Sequence, residues 1–156
     1  MFGVRADTMR ADTVIKNDNK QQSFYEYVVG VGTMHDTGYA SSPEAAKVAV
    51  ECLREYMAGF GERNPQFHVF NAVIHQDEAT PHLHYDMIPY ADGMKKGMTR
   101  QQGINKALEQ MGYGTGKQAI ANFTQSERKV FREICEAHGI EIAEETKGRG
   151  QTYSCE

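Results

Sequence analysis

A chain of 156 residues holds one domain with its own core and is too short for two of comfortable size. Its 40% hydrophobic and 24% charged residues exclude wholesale disorder, and its formal charge of -4 gives none of the basic excess common in nucleic-acid binders. Cys52, Cys135 and Cys155 are odd in number and widely spaced, which argues against a disulfide framework or a thiolate zinc site. With no apolar run fit for a bilayer and no signal-peptide core, the expectation is a soluble cytoplasmic protein without a membrane partner.

The first two dozen residues are weakly patterned: TVIK is a short apolar piece and NDNKQQS reads as a polar loop. FYEYVVGVGTM is aromatic and β-branched, as strands are, and HDTGYASS ends it with glycine and small polar residues. Ser42 followed by Pro43 reads as an N-cap with proline at the first helical position. Ala46, Val50, Leu53 and Met57 then keep helical spacing until Gly59, Gly61 and Pro65. QFHVFNAVIH and HLHYDMIPY are two more strands, and the short QDEATP between them makes an antiparallel hairpin. Two helices follow, predicted from capping boxes at Thr99–Gln102 and Thr124–Glu127, the second closed by Gly139. IEIAEE is a short edge strand. The domain spans residues 1–145, and residues 146–156 form a polar, glycine-rich flexible tail.

This order predicts an α+β fold: a ferredoxin-like split βαβ antiparallel sheet with helices mainly on one face. A parallel crossover through the first helix would bring His35, His75 and His82 to one edge of the sheet.

HQDEATPHLH, His75 to His84, then acquires a chemical meaning. Alternation along a strand puts His82 and His84 on one face, with Leu83 turned to the core, and His75 closes the preceding strand across the turn. Three imidazoles with an open position form a metal site of catalytic type, for which Asp77 or Glu78 offers a fourth ligand, a base or an orienting partner. A hydrogen-bonded polar hairpin tip does not explain two same-face imidazoles.

AVIHQDEATPHLHYDMIPY resembles the metal-binding motif of the Mob/Pre plasmid mobilisation and recombination family, relaxases of the histidine–hydrophobe–histidine class. MHDTGYASSPEAA, ERNPQFHVFNA, TRQQGINKALEQMGY and SERKVFREICEAHGIEI extend the likeness from about Met9 to Glu145. The resemblance implies a relaxase-type palm that binds single-stranded or nicked origin-of-transfer DNA, acts with other mobilisation proteins, and transfers one strand through a covalent phosphodiester. It implies His75, His82 and His84 as metal ligands with Glu78 as ligand or acid–base partner. Manganese or magnesium is favoured, with zinc or nickel as other occupants.

The family's nucleophile lies in an N-terminal motif, a histidine followed by asparagine and then arginine, which this sequence lacks. The chain is therefore read as a fragment. His35 is assigned to the catalytic surroundings as a phosphate contact or orienting group. Tyr113 with Lys117 has the Tyr-x-x-x-Lys spacing of rolling-circle initiators, but in a glycine-rich setting. Lys95, Lys96 and Arg100 are the preferred DNA contacts, with RADTMRADTVIK and SERKVFR as further basic stretches. The alternatives are a metal-stabilised DNA-binding domain without nicking activity and a small three-histidine metallohydrolase.

Overall fold

The computed structural model describes residues 24–142 in full and, of the preceding segment, the backbone of two short strands. These are β1 (Phe2–Val4) and β2 (Thr8–Asp12). There follow β3 (Tyr25–Gly30), α1 (Pro43–Ala58), α2 (Phe60–Arg63), β4 (Phe67–His75) and β5 (His82–Ala91). The last elements are β6 (Gln101–Gln102), α3 (Ile104–Gln110), α4 (Gly116–Ala137) and β7 (Ile140–Ile142). The tail, TVIK, NDNKQQS and the end of IEIAEE lie outside the described residues.

The fold is α+β. The main sheet runs β2-β3-β5-β4, with every neighbouring pair antiparallel. β3 and β4 are therefore parallel to one another with β5 inserted between them, which is the split βαβ arrangement built on α1. β5 shows why: its burial alternates without a break, with Leu83, Tyr85 and Met87 in the core and His82, His84 and Asp86 on the other face. Tyr27 and Val29 of β3 join the same core beneath α1, α2, α3 and α4. Phe123 of α4 is its hub, in contact with the rings of Tyr27, Phe60, Phe67 and Tyr113. The helices cover this one face of the sheet.

Several local expectations are corrected. Ser42 does sit at the N-cap of α1, but its hydroxyl donates to the carbonyl of His35 instead of capping. Thr99 and Gln102 do not open a helix, because Gln101 and Gln102 pair with the end of β5 and α3 starts after Gly103. Thr124 and Glu127 lie in the interior of α4, which begins at Gly116 so that Ala119 and Phe123 can enter the core. Glu127 is fully buried and salt-bridged to Arg63. Gly139 does follow the helix, at φ 85°. β2 was not foreseen. Cys52 and Cys135 are buried thiols between α1 and α4, not joined in a disulfide, and a hydrogen bond between them holds the Cys52 thiol below its ordinary range.

Candidate metal centre on the open face of the sheet

Register brings the motif together. Gly30, the last residue of β3, pairs with His82, and His82 pairs with His75 on its other side. One row up, Val28, His84 and Val73 align in the same way. The predicted gathering of strand ends is thus present, and all three imidazoles stand on the face away from the helices. Their ring centroids are 5.4 Å (His75–His82), 4.4 Å (His75–His84) and 5.0 Å (His82–His84) apart.

The hydrogen bonds fix which nitrogens face the centre. His82 Nδ1 is 2.9 Å from the carbonyl of Thr80, which can only accept, so Nδ1 carries the hydrogen. His84 Nδ1 likewise donates to the Glu26 carboxylate at 3.0 Å. Both rings therefore present Nε2 as a lone pair when neutral. His82 Nε2 stands 3.1 Å from Glu78 Oε2, so two acceptors face each other and require a cation between them, either a proton or a metal ion. His84 Nε2 is buried and has no hydrogen-bond partner.

Donor atoms of His75, Glu78 and His82 all lie within 4.8 Å of one another. His84 falls outside that set by the position of its nitrogen, yet its ring is the nearer neighbour of His75. Its orphaned buried nitrogen is the observation that a fourth donor satisfies. Nitrogen and carboxylate donors of this kind fit manganese, zinc or nickel. Asp77, 87% exposed, approaches His75 Nδ1 only to 3.9 Å.

The other predicted residues are placed differently. His35 is exposed in the loop after β3 and is not among the converging donors, although that loop touches the motif turn through a bond from Tyr39 N to Ala79 O at 3.2 Å. Gly38 permits the loop's closure, since a Cβ there would lie 2.0 Å from the carbonyl oxygen of Met34. Lys95, Lys96 and Arg100 follow β5 at the end opposite His82, a strand length of about 30 Å at ~3.3 Å per residue. Arg100 is engaged with Asp92 at 2.6 and 3.3 Å, and its guanidinium holds the Asp92 carboxyl below the usual range. Tyr113 is on the helical side, donating to Asn64 Oδ1 at 2.8 Å, with Lys117 in the first turn of α4. Gly114 and Gly116 take positive φ in the turn between α3 and α4, which accounts for GYGTGK without a phosphate.

Two residues were missed. Glu26 orients His84, and its signal lay in the alternation of YEYVVG, which turns Glu26 from the core when Tyr25 and Tyr27 enter it. Tyr39 carries a buried hydroxyl without a partner beside the motif turn, and burial followed by the charge of Asp77 pushes its phenol up. No periodicity marks a loop tyrosine.

The family model described as plasmid recombination enzyme matches residues 10–134. A plasmid recombination enzyme type 3 from Staphylococcus aureus is 28% identical over 112 residues, covering 62% of this chain and 26% of the relative. One of the same name from Mammaliicoccus lentus is 28% identical over 113 residues, with the same coverage of 62% and 26%. The chain thus spans about a quarter of the length of these curated relatives. No solved structure matches. Among the described residues, no helix is long and apolar enough to cross a membrane.

Proposed function

Because this chain belongs to the plasmid recombination enzyme family, we propose that it is the metal-binding core of a DNA relaxase, acting on single-stranded or nicked origin DNA. The observation that carries this reading is the pair of imidazoles whose Nδ1 hydrogens are committed outward, leaving Nε2 of His82 against Glu78 and Nε2 of His84 buried and unpartnered.

In this reading His75, His82 and His84 hold a divalent ion, manganese or magnesium before zinc or nickel, with Glu78 as the fourth donor. When bound, such an ion supplies Lewis acidity that draws charge from a phosphoryl oxygen. The chain's own residues set the conditions. Thr80 and Glu26 lock the ring orientations, so little rotamer freedom is lost on binding. Pro81, buried just before β5, stiffens the turn that carries Glu78. Lys95 and Lys96 contribute to strand binding at a distance from the chemistry, and His35 is available to a phosphate from its exposed loop.

A second reading is a metal-stabilised DNA-binding module that does not cut by itself. It is favoured by the tyrosines: Tyr25 and Tyr27 pack on the helical side of the sheet and Tyr113 is hydrogen-bonded there, so none of the three attacks a phosphate at the histidines.

The test is manganese titration of the purified chain beside a His82→Ala, His84→Ala double variant, followed by incubation with single-stranded oligonucleotides. Near-stoichiometric binding that the double variant loses is expected. A chain that binds neither manganese nor zinc removes the metal reading. Metal-dependent oligonucleotide binding without cleavage selects the second reading.

A further inference from the structure

β4 carries a bulge between Val69 and Asn71: Val69 pairs with Met87 and Asn71 with Asp86, so Phe70 is an extra residue. The bulge places Phe70 and Asn71 together on the open face, where Asn71 donates to Asp86 at 2.9 Å. Phe70 is 50% exposed. Its ring meets that of Phe24, just before β3, edge to face at 5.5 Å and 88°. Since β5 lies between β3 and β4, the two rings bridge β5 at the level of Asp86, two residues from His84 and about 7 Å along the strand. A large aromatic on a sheet face that none of the described helices covers, one pleat from a buried unpartnered nitrogen, is unexplained by the core.

We propose that Phe70, braced by Phe24, is a stacking platform for an unpaired nucleobase next to the phosphodiester held at the histidine cluster. The proposal rests on the relaxase reading and names how the strand is gripped beside the site. Charge favours a base over a phosphate as the occupant. β3, β4 and β5 carry no lysine or arginine, and Asp86 pairs with Asn71 next to Phe70, whereas Arg10 of β2 is in register with Val28 in the row of His84, away from the platform. A base offers a π-face to the ring and exocyclic N–H groups to Asp86. Stacking is tolerant of sequence and is a common grip on single strands.

The chain contains no tryptophan, so Phe70→Trp introduces a single fluorescent reporter at the platform. The experiment measures affinity for a short single-stranded DNA and for manganese in the 156-residue wild type and in the Phe70→Ala, Phe70→Leu and Phe70→Trp variants. Phe70→Ala and Phe70→Leu are expected to weaken oligonucleotide binding about tenfold or more with manganese binding unchanged. Phe70→Trp retains binding, and its emission is quenched on saturation with the oligonucleotide. Wild-type oligonucleotide affinity in Phe70→Leu together with an unquenched Trp variant overturns the platform and leaves the relaxase reading standing. Loss of manganese binding in Phe70→Leu shows a structural role and also overturns it. A wild type that binds manganese but no oligonucleotide overturns both readings.

Discussion

Two polar clusters occupy opposite faces of one sheet, and they are completed in opposite ways. On the helical face, Glu127 Oε1 accepts from Arg63 Nε and Asn64 Nδ2, both at 3.1 Å, and Oε2 accepts from Arg63 Nη2 at 2.9 Å. Arg63 also donates to Tyr56 O and lies over the Tyr56 ring, while Tyr113 closes the network through Asn64. Burial alone would lower the Arg63 pKa, but the Glu127 carboxylate raises it, so the guanidinium stays charged. On the open face, by contrast, His84 Nε2 is unpartnered and His82 faces Glu78 acceptor to acceptor. Polar groups that answer one another hold a fold. A buried nitrogen left without a partner, as at His84, is open to a ligand, which is the premise of the metal reading.

The largest effect that could break this contrast comes from the closed cluster. Glu127→Ala leaves the Arg63 charge without its partner and should cost about 3–5 kcal/mol in urea unfolding. Any manganese affinity, measured where the variant stays folded, should be unchanged, and a loss would mean that the two clusters are coupled.

Next comes Glu26. Glu26→Ala frees the His84 ring and should weaken manganese binding about 10- to 100-fold, with Glu26→Gln recovering much of it because its amide oxygen still accepts from Nδ1. Calorimetric titration measures both. Equal binding in all three proteins would show that His84 needs no orientation.

The smallest effect lies at His138, at the C-terminal end of α4, whose Nε2 is 2.5 Å from Glu55 of α1. The hydrogen bond that His138 donates to the Glu55 carboxylate raises its pKa above the ordinary 6.5. The protonated form is favoured by folding, so the contribution is complete below about pH 6.5 and is lost as pH rises through the elevated value. For so exposed a pair it should be at most about 0.5 kcal/mol. Comparing pH-dependent unfolding of wild type and His138→Gln isolates it, and parallel profiles would refute the contribution.

What was legible in the sequence follows from range. β5 announces itself because strict alternation puts every even residue from His82 to Ile88 on one face, and the motif's faces come with it. The split sheet follows from element order and short connections. The partner of His84 did not follow, since Glu26 meets it only after β3 pairs with β5. Thr124–Glu127 misled for the opposite reason: four residues fit a capping box locally, but the packing of Ala119 and Phe123 extends α4 through them. β2 and β6 are brief and polar, and only their neighbours in the sheet make them strands.

The pairing of β1 with β7 remains to be weighed. Phe2 lies in parallel register with Ile140, so this small sheet closes a loop of nearly the whole chain. Loop-closure entropy makes such a contact slow to nucleate. β1 should zip last during refolding and open first in the native state, its amides exchanging with solvent well before those of β5. The molecule would then have a cooperative centre built around β3, β5 and α4, and a seam that breathes without disturbing it.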